Sequence, residues 1–337
     1  MTLCPQSAKA SSTSSSTTLD IGAHQNLKQH ESLWFEDGSI VLTTDVHLYC
    51  VHRCVLARNS TVFKDMLELP NVGITPDPNV GGISDGIDWE GKPLVKMVGD
   101  SDEDVYRILM VLYDIEFYCV HKPTTLPIIL SLLRMSAKYD FCVIRNVVTS
   151  HLELLYPNNL NGVEARALGD VFEDFNGEVD DFDFRLLVAA LQYNLKTILP
   201  MLYFDCSMAP LDYILKAAEN LRLEKHQIEK LIHGREEIVK YSYRYVIRRF
   251  NCKRHCTPSC YNARTELLEK YMDNLPEYPI QALLRNKEAI DDERLRTSVC
   301  TTCSNIISET MEAFRSEVWN SIPELFGLGT WENAKRD

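Results

Sequence analysis

The sequence predicts an α+β chain: a small N-terminal sheet flanked by helices, followed by an all-α region that runs to about residue 332. Three observations carry this. Short β-branched and apolar runs at residues 40–44, 47–51 and 94–98 are bounded by turn residues, as strands are. From residue 101 onward, apolar side chains recur at intervals of three and four, the mark of helices with one buried face. Ahead of both, residues 7–18 are almost all Ser, Thr, Ala and Lys and have nothing to bury, so residues 1–29 are expected to form a disordered tail.

Each element has a local reason. Glu36-Asp37-Gly38-Ser39 is a turn signal before the run at 40–44, and Asp45-Val46 is short enough to join that run to 47–51 as a hairpin. Residues 53–57 and 60–67 read as two short helices. Ser60 is placed to cap the second, and Val62, Phe63, Met66 and Leu67 form its apolar face. Residues 70–93, rich in Gly, Pro, Asn and Asp, read as a long loop. Ser101 and Asp104 fit a capping box ahead of a stripe of Val105, Ile108, Leu109 and Leu112. A helix over 125–139 turns Ile128, Ile129, Leu132, Leu133, Met135 and Ser136 inward. The next uses Ile144, Val147, Val148, His151, Leu152 and Leu155, and Pro157 ends it. Residues 182–199 read as one helix stopped by Pro200, with further helices over 211–221 and 225–245. A last helix over 310–320 is closed by Pro323. The pattern divides the chain into a domain at 30–157 and a helical region at 158–332.

Composition narrows the function classes. A chain of 337 residues, 45% of them hydrophobic, can bury a substantial core in about two domains. A formal charge of −13 repels phosphate backbones and disfavours broad nucleic-acid binding. No stretch approaches the roughly 20 apolar residues of a membrane span. Residues 1–10 lack the basic-then-apolar order of a secretory signal. The expected setting is therefore intracellular, in nucleus or cytoplasm. There the eleven cysteines are buried thiols or metal ligands in preference to disulfides. Asn59-Ser60-Thr61 is then a chance glycosylation match.

The order of these elements, with the strings Asp37-Gly38-Ser39-Ile40-Val41-Leu42, Val51-His52-Arg53-Cys54-Val55-Leu56-Ala57 and Ser60-Thr61-Val62-Phe63-Lys64-Asp65-Met66, resembles the BTB/POZ domain, and within it the group found in basidiomycete fungi. Residues 133–140, 195–200, Gly234-Arg235-Glu236-Glu237 and the closing 318–328 fit the same resemblance, which spans most of 30–332. It implies a scaffold for homodimerisation or partner recruitment, with cullin-type ubiquitin ligases and transcriptional regulators as known settings. Many such dimers form a charged pocket from an acid and a base. Arg53 matches the base, whereas the acid position holds Ser39, with Asp37 close by. Cullin adaptors carry an apolar-x-Glu motif, which Met66-Leu67-Glu68 fits at a helix end.

Cysteine spacing is the constellation with chemical content. Cys256 and Cys260 lie four apart with Pro258-Ser259 between them, and Cys300-x-x-Cys303 follows. Two close thiolate pairs suit a tetrahedral Zn²⁺, and four leave no open catalytic position. Cys252 or His255 could substitute, and plain unliganded thiols are the competing reading. The basic run Arg244, Arg248, Arg249, Lys253 and Arg254 suits either a DNA contact or a solvated helix end, and the acidic chain favours the latter. Gly82-Ile83-Ser84-Asp85-Gly86 matches a nucleophile elbow without the strand and helix such an elbow needs, so it reads as a loop. His52 reads as a structural histidine and not a catalytic base. Trp319, Phe326 and Trp331 read as core more readily than as a docking patch.

The sequence thus predicts a non-enzymatic interaction module, a homodimer with protein partners and no membrane association. Trp34, Phe35, Ile40 and Leu42 would lie near the dimer seam, with Arg53 and Glu68 as partner-facing charges. Substrate adaptor of a cullin-RING ligase and transcriptional regulator are the alternatives.

Overall fold

A computed structural model describes residues 27–69, 88–166, 171–173, 181–250, 256–273 and 298–335. The chain forms two compact units. One lies within residues 1–53 and 71–102, the other within 54–70 and 103–337. Among the described residues, no helix is long and apolar enough to cross a membrane.

The first unit is a small mixed sheet. Its strands are β1 (Lys28–Trp34), β2 (Ile40–Thr43), β3 (His47–Val51), β4 (Asp88–Trp89) and β5 (Lys92–Lys96), in the spatial order β1-β3-β2-β5-β4. β2 and β3 are antiparallel, with Ile40 opposite Val51 and Thr43 opposite Leu48. Thr44 makes the hairpin turn: its hydroxyl accepts the amides of Val46 and His47 at 3.2 and 3.0 Å. All four residues of β2 are buried, as expected for a central strand. Val41, Leu48, Cys50 and Leu94 form an apolar cluster, with Trp34 and Trp89 packed against it. β1 runs parallel to β3 with an irregular register between Gln29 and Trp34. Among the described residues, β1 is the last strand on its side of the sheet.

The second unit holds the helices. They are α1 (Arg53–Asn59), α2 (Thr61–Glu68), α3 (Asp102–Tyr113), α4 (Leu126–Tyr139), α5 (Cys142–Leu155), α6 (Leu160–Ala165), α7 (Phe182–Gln192), α8 (Leu199–Ser207), α9 (Leu211–Asn220), α10 (Lys225–Phe250), α11 (Pro258–Asp273) and α12 (Thr301–Leu325). Ser60 caps α2: its Oγ accepts the Phe63 amide at 3.0 Å and donates to the Tyr139 carbonyl at 2.5 Å. Buried Asp104 joins α3 to α4 by accepting from Ser131 Oγ at 2.5 Å and Arg134 Nη1 at 2.6 Å. α10 packs against α8 and α12. Gly234 of α10 admits Phe326, which stacks on Tyr203 of α8 at 5.4 Å between ring centres. The strings at 234–237 and 318–328, distant in sequence, therefore meet in one core.

Four expectations need correction. Residues 182–199 are not one helix: α7 ends at Gln192, Asn194 takes φ 53°, and α8 starts at Leu199. Pro200 sits in the first turn of α8, where its missing amide hydrogen costs nothing, so it starts a helix and does not stop one. The last helix begins at Thr301 and continues through Pro323. The loop expected over 70–93 gives way at its end to a tight hairpin, in which Glu90 and Gly91 take φ 53° and 83° between β4 and β5, the two positive φ values of a type I′ turn. Val147, expected inward, is 36% exposed. By contact, residues 103–157 group with the later helices. The expected tail at 1–29 falls mostly outside the described residues, and 28–29 begin β1.

Candidate metal centre

Four cysteines converge at the N-terminal ends of two helices. Cys256 precedes α11 and Cys260 lies in its first turn, where Thr257 Oγ1 accepts the Cys260 amide at 3.3 Å. Cys300 is the N-cap of α12 and Cys303 follows one turn in. Pro258 favours this arrangement, because a proline at the first helical position forms the turn between Cys256 and Cys260 without losing a hydrogen bond. The Sγ atoms of Cys256, Cys260, Cys300 and Cys303 all lie within 4.8 Å of one another. These are the four residues that spacing selected.

The geometry fits thiolate ligation. Cys256 and Cys303 Sγ are 3.1 Å apart, far beyond the roughly 2.05 Å of a disulfide, and all four are free thiols. Zn–S bonds of about 2.3 Å at tetrahedral angles put sulfurs roughly 3.8 Å apart, a spacing this cluster brackets. The Cys300 amide donates to Cys260 Sγ at 3.3 Å, a bond that favours a negatively charged sulfur. The Cys303 backbone amide, then the Cys303 and Cys260 thiols, draw the Cys300 thiol down to about 7. Cys256 is raised: the bond to Cys303 lowers it, but burial and the neighbouring Cys260 outweigh that. The positive ends of α11 and α12 both face the cluster and stabilise thiolate. Cys260 and Cys303 are buried, while Cys256 and Cys300 are partly covered. The alternative ligands Cys252 and His255 lie outside the described residues.

The other predicted sites separate. Ile40 and Leu42 are 0% and 1% exposed within the chain's own core, whereas Trp34 and Phe35 are half-buried at the end of β1. Arg53 opens α1, and its amide donates to Ser39 Oγ at 2.9 Å, so the residue at the expected acid position serves as a backbone acceptor. Asp37 Oδ1 stands 3.3 Å from His52 Nε2, and the His52 ring lies against Phe35. Glu68 is exposed at the last position of α2. Arg244 lies over Tyr241 at 5.6 Å, and the side chains of Arg248 and Arg249 and all of Lys253 and Arg254 fall outside the described residues. So does the 82–86 elbow match. Trp319 and Phe326 are buried, and Trp331 stacks on Trp319 at 4.1 Å.

Two polar clusters had no signal in the sequence. In the sheet unit, the Asp102 carboxylate accepts from Thr44 Oγ1 at 2.5 Å, from His47 Nδ1 at 2.8 Å and from the Tyr49 hydroxyl at 2.9 Å. Burial pushes its pKa up, but the bonds from Thr44, His47 and Tyr49 prevail and hold it below the usual range. In the helical unit, Arg166 grips Asp205 with bonds of 2.6 and 3.2 Å, and Tyr156 donates to Asp183 at 2.5 Å. Burial lifts Asp205 to about 6 against the pull of Arg166. The partners lie tens of residues apart, so no local motif could have announced them. No protein-family model, curated protein or solved structure matches the chain.

Proposed function

We propose that this chain is a non-enzymatic protein-interaction module whose helical unit is fastened by a structural Zn²⁺ held by Cys256, Cys260, Cys300 and Cys303. The observation that carries this is the gathering of four thiols, from pairs some 40 residues apart, at two helix N-termini. Four thiolates complete the tetrahedral shell, so the ion has no place for water or substrate and contributes folding energy instead of chemistry. Its work is to tie α11 to α12. The N-terminal part acts as a BTB/POZ-type surface for self-association. This rests on the resemblance and is supported by the hairpin β2–β3, the successive short helices α1 and α2 and the later packed pair α4–α5. β1, an edge strand bearing Trp34 and followed by Phe35, is the seam we assign to a second copy.

Light scattering and metal analysis on the full chain test both halves. The expected result is a dimer with about one Zn²⁺ per chain. Zinc below about a tenth of an equivalent overturns the metal assignment, and a monomer at high concentration overturns the seam.

A second reading, adaptor for a cullin-type ligase, has one specific support. Exposed Glu68 ends α2 and is followed by Leu69, which is 61% exposed, and Val62 in the first turn is 41% exposed. It expects cullin binding that Glu68→Ala abolishes, and absence of binding by the unaltered chain removes it.

A further inference from the structure

Beside the first turns of α5 lies a cleft of about 400 Å³, lined also by the turn between α7 and α8. Arg145, Lys196 and Lys335 line it, together with Asn146, Asn194 and Thr197, and no carboxylate is among the described residues that line it. Three cations in one cleft run against a chain whose formal charge is −13. The guanidinium of Arg145 is held in place because Nη2 donates to the Tyr193 carbonyl. Lys335 is paired with Glu332 at 2.5 Å. Asp140, whose field reaches Arg145, is taken up by the Thr61 hydroxyl and the Cys142 thiol and does not line the cleft. The N-cap of α5 is Phe141, which gives the first turn no side-chain acceptor, so the positive end of the helix adds to the field. Thr197 is 3% exposed, and its Oγ1 is buried with no hydrogen-bond partner among the described residues. A buried hydroxyl without a partner is costly and calls for a group not yet accounted for.

We infer that this cleft binds the phosphate of a phosphate monoester. Arg145 and Lys196, with Lys335 shared with Glu332, two amides and a hydroxyl outnumber the needs of a carboxylate and suit a dianion with three terminal oxygens. The volume exceeds a bare phosphate and accommodates the atoms that carry it. The phosphate can come from a free phosphorylated small molecule or from a phosphoserine in a partner's peptide. The inference stands apart from the zinc and the self-association surface.

The test is calorimetric titration of the full chain at fixed ionic strength with inorganic phosphate, a neutral phosphoserine peptide and its unphosphorylated twin. Binding of phosphate or of the phosphopeptide, with the twin silent, is expected. Lys196→Gln and Thr197→Val are each expected to weaken it at least about tenfold, the loss of one charge-assisted or buried bond. A phosphopeptide bound more than about tenfold tighter than inorganic phosphate names the peptide as the source. Equal affinities name the small molecule. The inference is overturned if neither probe binds, or if Lys196→Gln and Thr197→Val both bind as the unaltered chain does. Melting curves without ligand confirm that each variant folds.

Discussion

At Gly234, a methyl group would meet Phe326 Cε1 at 2.0 Å, so the residue type is dictated by the ring it admits. Gly234→Ala is expected to lose about 1–3 kcal/mol in denaturant unfolding, and Phe326→Leu in the same chain should recover part of that by yielding space. The sequence showed Gly234 and Phe326 as members of separate strings, and nothing in their spacing said they touch. Arg166 and Asp205 were equally silent. Arg166→Met should lose about 3–5 kcal/mol by leaving a buried carboxylate alone, whereas Arg166→Met with Asp205→Leu should come close to the original stability. Two buried groups also make stability depend on pH, with opposite signs. Asp205 is raised to about 6. Folded chain therefore binds its proton more tightly than unfolded chain, and Asp205 adds stability on acidification from about 6 toward 4. His151 is lowered by burial and then by His121, with its Nδ1 bonded to the Tyr118 hydroxyl at 2.9 Å. Its contribution is full above 6.5 and is lost as pH falls below that value. The midpoint of His151→Gln relative to the unaltered chain should rise steadily between pH 6.5 and 5. A constant offset would show that His151 does not titrate on unfolding.

Helices and strands were the most legible level. Ser60 caps α2 as its type and position required, Pro157 follows the end of α5, and the β2–β3 hairpin follows from two β-branched runs with a two-residue joint. Two of the misread helix ends share a cause: a proline marks a boundary without saying on which side the helix lies. Pro200 opens α8, and Pro323 rides inside the last turns of α12. A proline within a helix leaves the carbonyl four residues earlier without its partner. Here that carbonyl belongs to Trp319, and the Trp331 indole N–H donates to it at 2.7 Å. Trp331→Phe should therefore lose about 1–2 kcal/mol. Pro323→Ala in the same chain restores an amide donor and should return part of the loss, a coupling that a double-mutant cycle reads directly.

On the scale of the whole chain, the α+β class followed from periodicity, and the four cysteines followed from the chemistry of their spacing. What spacing could not convey was that both thiol pairs sit on helix starts, because that depends on where α11 and α12 begin. Removing zinc should release this junction. Chelation is expected to lower helical circular dichroism and the thermal midpoint together, with recovery on adding zinc back, and a chelator without effect on either would leave the cysteines as ordinary thiols. The far, C-terminal end of α12 carries an optical reporter of its own. Of its four tryptophans, Trp319 and Trp331 stack at 4.1 Å and 10° between planes, whereas Trp34 and Trp89 belong to the sheet unit. Two indoles so close share their excited state. Their paired optical bands, positive beside negative, would report the closed or opened end of α12 without any label, while the emission of the other two follows the sheet.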